Sequence, residues 1–221
     1  VSSILSQPLK INGVISTDKS VLENLNTLAN ASGCFLTFDV SQNKWAVIIN
    51  RTGSSVASFD DSNVIGSINV SETGVTELYN SVSIEFPHAD IRDNTDYVDL
   101  EIDSGDLYPN EIENRLNIQL DVINDPVQAQ YIAGVELNQN RLNKVVEFVT
   151  DFSNLGLKAG DLIDLTSDQY GFDAKVFRIL KVEESDETGI QVSITALEYD
   201  EAVYDTSNLI RTERTDATGI L

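Results

Sequence analysis

"LGLKAGDLIDL" (Leu155–Leu165) decides how the second half of this chain reads. Lys158-Ala159-Gly160-Asp161 has the composition of a turn, and Gly160 can adopt the positive φ that a sharp reversal needs. Leu162, Ile163 and Leu165 then enter a strand. A second reversal at "SDQYGFDAK" (Ser167–Lys175) returns the chain along "VFRILKVEE" (Val176–Glu184). "SDETG" (Ser185–Gly189) turns it once more into "IQVSITALEYD" (Ile190–Asp200). Successive strands joined by short turns predict an antiparallel meander or small barrel. Gly160-Asp161 is a scaffold corner, not a catalytic loop.

Working outward, three stretches alternate apolar and polar residues with the period of a half-buried strand. They are "NSVSIEF" (Asn80–Phe86), "RLNIQLDV" (Arg115–Val122) and "QVSITA" (Gln191–Ala196). Together they predict one antiparallel sheet with a buried and a wet face. "VVEFV" (Val145–Val149) is apolar on both faces and reads as a more enclosed strand. Asp125 as cap and Pro126 at the first position open a helix running to about residue 141. Its apolar residues Val127, Ala129, Tyr131, Ile132, Ala133, Val135 and Leu137 spread around the wheel, so it should be contacted on several sides, with Gly134 allowing close approach.

The first part of the chain is different. Ser20 and Glu23 form a capping box ahead of Val21, Leu22, Leu25, Leu28 and Ala29, which share one helical face. Gly33 supplies the stop. A hairpin follows, "CFLTFDV" (Cys34–Val40) and "WAVII" (Trp45–Ile49) around a turn at "SQNK", with Trp45 expected to pack on the sheet. "GSINVSE" (Gly66–Glu72) adds a strand. The fold class is therefore α+β, mainly β. A helix-on-sheet module over 1–75 precedes an antiparallel β-barrel-like domain over 76–205 with one inserted helix near 126–141. Residues 206–221 read as a linker or the start of a further segment.

Composition narrows function. The 221 residues carry 36 acidic against 14 basic side chains, a formal charge of −22. Such a surface repels phosphates and opposes both nucleic-acid and anionic-membrane binding. Cys34 is the only cysteine, so no disulfide within the chain, CxxC motif or Cys-rich zinc site can form, and it reads as a small buried hydrophobe. The absence of methionine, even at position 1, suggests a piece of a larger protein.

His88 is the sole histidine, and no nucleophile elbow lies beside it. The densest acidic stretch, holding Asp90, Asp93, Asp96, Asp99, Asp103 and Asp106, lacks the spacing of an EF-hand, which leaves Ca²⁺ binding over 90–106 open. No catalytic, cofactor or metal residue is assigned, and no enzyme activity is expected.

One resemblance emerges from the order of features. "LYNSVSIEF", "DPVQAQYIAGVELNQNR", "VVEFV", "LKAGDLIDL", "FRILKVEE" and "ITALEYDEAVYD", spread over Leu78–Asp205, resemble the hub or tip-attachment proteins of bacteriophage tails, those of lambda-like siphophages and of baseplates. The resemblance implies a structural virion protein at the tail tip or baseplate. It would be a homotrimer that caps the tail tube, contacts distal-tail or tube proteins and a central fibre or spike, and lets DNA pass without specific binding. The alternative is a carbohydrate- or calcium-binding β-module of a secreted adhesin or enzyme accessory domain.

Overall fold

A computed structural model describes residues 9–39, 43–185, 191–211 and 214. Most of the expected "SDETG" turn, part of the "SQNK" turn and most of the segment beyond Arg211 lie outside the described residues. In chain order the elements are α1 (Val21–Ala31), β1 (Cys34–Asp39), β2 (Lys44–Ile49), β3 (Ala57–Phe59), β4 (Val64–Glu72), β5 (Ser81–His88), β6 (Asn94–Glu101), β7 (Arg115–Gln119), α2 (Pro126–Arg141), β8 (Lys144–Asp151), β9 (Leu162–Ser167), β10 (Phe172–Ser185) and β11 (Gln191–Glu198). The fold is α+β and mainly β.

The chain forms two units. One comprises residues 1–50, 75–141 and 202–221, the other residues 51–74 and 142–201. These units interleave, whereas the sequence reading set consecutive modules over 1–75 and 76–205. The physical reason lies in hydrogen bonding: β3 and β4, from the first third of the chain, belong to the same sheet as β8–β11. Everything from Val75 to Arg141 is inserted, in chain order, between two neighbouring strands of that sheet.

The six-stranded sheet has the order β3-β9-β10-β11-β8-β4. Only the β3–β9 pairing is parallel. Its connectivity forces it to curl. β3 and β4 occupy opposite edges, yet only Asp60–Asn63 joins them. Six flat strands would hold those edges about 24 Å apart at normal strand spacing. The five steps from Phe59 to Val64 reach at most about 18 Å. The sheet therefore bends towards closure around Phe59, Phe148, Ile163, Leu165, Phe177 and Ile194, all buried. Gly160 has φ +96°, and its N–H donates to Ile179 O at 2.8 Å, while Lys158 N–H donates to Asp161 Oδ2 at 2.9 Å. The opening stretch is thus a corner tied onto β10, beside the register shift at Ile179/Lys181.

In the other unit, β6-β5-β7 form a separate three-stranded sheet against which α2 packs. Here the expected single antiparallel sheet is corrected twice. β11 belongs to the curled sheet, and β7 runs parallel to β5. A period of two reports which side of a strand is buried, not which strand lies beside it or in which direction. The core holds Val82, Ile84, Phe86, Leu120, Ile123 and Ala133. α2 is anchored around its circumference as expected. Gln128 reaches Lys10 and Ala31, Gln130 exchanges two bonds with Ile210, and Asn140 accepts from Tyr79 N–H. Gly134 is a correction, because a Cβ there would meet nothing within 4 Å. Close approach occurs instead at Gly13, where a Cβ would fall 2.7 Å from Val122 Cα.

α1 begins as read. Ser20 Oγ accepts from Glu23 N–H at 3.2 Å and Glu23 Oε2 from Ser20 N–H at 2.7 Å. Gly33 follows its end with φ +60°. Only Ala29 and Ala31 are buried, however, and Val21 and Leu22 lie open. The apolar face is buried towards its C-terminal end, half-covered at Leu25 and Leu28, and open in the first turn.

Candidate functional site

His88 closes β5 after Pro87. The pairing of β5 with β7 stops at Glu85–Gln119, so the missing N–H of Pro87 falls beyond that ladder. The imidazole is buried, and its Nδ1 accepts from Asp90 N–H at 3.1 Å. That bond fixes the tautomer, putting the proton on Nε2, which lies 4.0 Å from Asp96 Oδ2. Phe86 packs against the ring at 5.6 Å. Nδ1 is thus committed to capping the short turn Ala89–Ile91, while Nε2 faces Asp96 of β6. The geometry is that of a structural histidine.

The six aspartates of the acidic stretch do not converge. Asp99 lies on the outer face of β6, 3.7 Å from Arg115, while Asp96 sits 3.2 Å from Arg214. Asp93 accepts from Asn124 Nδ2, and Asp103 and Asp106 share a turn. Among the described residues no three His, Cys, Asp or Glu side chains come together to hold a metal ion.

A shallow groove of about 260 Å³ runs over the outer face of the three-stranded sheet, lined by Glu85, Pro87, Thr95, Gln119 and Asp121. Its polar groups are tied to one another: Gln119 Nε2 donates to Asp121 Oδ1 at 2.9 Å, and the Tyr97 hydroxyl to Glu85 Oε2 at 3.3 Å. The charge of Glu85 pushes the Tyr97 phenol up, so that hydroxyl keeps its proton. No base or nucleophile is activated there.

A second cavity, about 20 Å³, is lined by Asn30, Cys34, Phe35, Asn50, Tyr131 and Glu136. It has room for about one water. Cys34, expected buried, is half-buried here and its thiol donates to Ser32 O. Burial pushes up both the Glu136 carboxyl and the Tyr131 phenol. Glu136 was missed in the sequence. The signal was there, since it follows Ile132 by four residues and Ala133 by three, and both are buried. Above its raised value the folded chain bears the cost of holding this half-buried carboxylate partly out of water. As pH falls through its raised value, Glu136 takes up a proton and the cost disappears. Glu136→Gln is therefore expected to stabilise the chain by about 1 kcal/mol at pH 7. The gain should vanish below the ordinary carboxyl range, as read by thermal unfolding across pH. An equal gain at acid and neutral pH would show that the charge is not the cause.

The largest anomaly is the β1–β2 hairpin. Trp45, expected to pack on the sheet, is 55% exposed and meets Phe38 edge-on at 5.5 Å. A tryptophan needs a second layer to be buried, and this face of the hairpin has none among the described residues. The features that set this chain apart are thus apolar surface and a curled sheet.

Comparison with known proteins gives these features a context. A family model for phage tail proteins matches residues 20–182. The baseplate hub protein pb3 of Escherichia phage T5 is 19% identical over 213 residues, which is 96% of this chain and 22% of that protein. A chain from the virion of a native gene transfer agent particle matches with TM-score 0.73 at 18% identity, over 90% of this chain and 44% of that one. A tail protein from Neisseria meningitidis MC58 matches with TM-score 0.61 at 14% identity, over 86% of this chain and 58% of that one. This chain therefore spans about a fifth of the hub protein's length and about half of each structural neighbour. At such identities the structural neighbours establish the fold alone. The family match carries more, because it covers well over half of the sequence and runs through both units. On that ground the chain belongs to the phage tail protein family and is a component of a virion tail.

Proposed function

We propose that this chain is a non-enzymatic building block of the hub at the distal tip of the tail, where three copies cap the tube and join it to a central fibre or spike. The observation that carries this reading is the likeness to a baseplate hub protein along 96% of the chain, which engages both units and not a single shared strand pattern. The charge agrees with it. A chain of net charge −22 lining or flanking a conduit repels the phosphates of DNA in transit, and so does not hold them.

Gold-labelled antibodies against this chain, applied to intact virions, should mark one cluster per particle at the end of the tail away from the capsid. Label spaced along the tube would make the chain a tube protein and refute the hub reading. Chemical cross-linking of purified tails should give a ladder ending at three copies.

A further inference from the structure

The strands β1 and β2 pair residue for residue, and directly opposed residues share a face. One face carries Cys34 with Ile49, Leu36 with Val47, and Phe38 with Trp45. Every position on it is apolar. The reverse face mixes Phe35, Ala46 and Ile48 with Thr37 and Lys44. On the apolar face Phe38, Trp45, Val47 and Ile49 are 44–59% exposed. Together they leave roughly 500 Å² of apolar surface in water, as much as the largest patch on most monomers. A hairpin is marginal by itself, and this one pairs with no third strand among the described residues.

The same unit bears a second uncovered apolar surface. Val21 and Leu22, in the first turn of α1, are open, as are Val14 and Ile15 just before it. Asn24 Nδ2 ties this lead-in to the helix by donating to Ser16 O at 2.9 Å.

We propose that the apolar hairpin face of one copy seats on the Val14, Ile15, Val21 and Leu22 flank of a second copy of this chain. The proposal rests on the homo-oligomeric reading above and names its contact. Charge selects the occupant. A cationic partner would be steered to the acidic surface, where Coulomb attraction acts, and a face without a charge adds nothing to that steering. Two copies of a chain at −22 repel most where their carboxylates face one another, so contact costs least at the uncharged face. Area agrees as well, because covering roughly 500 Å² on one copy buries a similar area on the other, and the total of about 1,000 Å² reaches the lower bound for a specific interface. Two different patches on one chain make a head-to-tail contact, the type that closes into a ring.

Trp45 is the only tryptophan, so its fluorescence reads this face directly. As the concentration of the 221-residue chain rises, its emission should shift to the blue in step with the oligomer mass seen by native mass spectrometry. Val47→Asp and Val21→Asp, both at exposed positions, should each weaken association at least tenfold with circular dichroism unchanged. Association with Trp45 still emitting as an exposed indole would overturn the contact and leave the homo-oligomer standing. Insensitivity to Val21→Asp would overturn the receiving surface. A shift that appears only when another tail protein is added would make the occupant a different chain. A chain monomeric at every concentration would refute the oligomer and its contact together.

Discussion

Phe148→Ala is expected to lower the unfolding free energy of the unit holding the curled sheet by about 3–5 kcal/mol. Phe148 lies in β8, is 1% exposed, sits opposite Ile194 of β11, and packs its ring 5.0 Å from that of Phe59 on β3. β3 and β8 are four places apart in the sheet order. The Phe59–Phe148 contact exists only because the sheet curls, so the ring helps to close the barrel. Removing it deletes burial and leaves a hole that a curved, hydrogen-bonded wall cannot collapse to fill. Glu147, its neighbour on the same strand, points outward and is exposed. Glu147→Ala should change stability by no more than about 0.5 kcal/mol. Urea unfolding of both variants, followed by circular dichroism, checks the pair. If Phe148→Ala cost less than about 1 kcal/mol, the sheet would not be closed around that ring.

What could be read from the sequence divides along the range of the forces involved. The start of α1 was legible because a capping box is satisfied within four residues, Ser20 to Glu23. The corners at Gly33 and Gly160 were legible because only backbone sterics decide them. Strand pairing was not. Val82, Ile84 and Phe86 alternate just as Val192 and Ile194 do, yet they lie in different sheets. The one topological constraint that could have been argued beforehand is the reach of Asp60–Asn63, and it becomes informative only once β3 and β4 are known to be edges. The interleaving of the two units follows from that pairing and shares its obscurity.

The same division explains the surface residues. Trp45 and the start of α1 carry core-like patterns, and amphipathicity says that a face is to be covered without saying that the same chain covers it. Gly134 illustrates the reverse error, a small residue read as a contact where the helix has open space. Glu136 was hidden by its charge. A glutamate in a helix normally points to water, and only its register against Ile132 and Ala133 places it at the cavity.

Arg141→Ala is expected to cost about 2–3 kcal/mol at neutral pH. Arg141 ends α2 and grips the loop before β7 in a fork. Its Nη1 and Nη2 pair with both oxygens of Glu111, Nη2 also donates to Asp106 O at 3.1 Å, and the guanidinium lies 4.8 Å over the Tyr108 ring. The Glu111 side chain is closed off from solvent, and that of Arg141 is 13% exposed. The enclosure is shallow, so the loss falls below that for a deeply buried ion pair, but removal of the cation still strands a carboxylate. Arg141→Lys keeps the charge and loses the planar fork, and should fall about midway. The pH dependence identifies the cause. The hydrogen bond from Arg141 holds the Glu111 carboxyl below its ordinary value, helped by Tyr108 N–H. A carboxyl depressed in the folded state stabilises fully above its unfolded value, and that contribution is lost as pH falls through the folded one. Wild type and Arg141→Ala should therefore differ most at pH 7 and converge towards pH 3. Adding Glu111→Gln to Arg141→Ala should recover part of the loss by removing the stranded charge. A difference that stays constant from pH 7 to pH 3, with no recovery in the double variant, would show that Arg141 acts through packing over Tyr108 and not through its pair with Glu111.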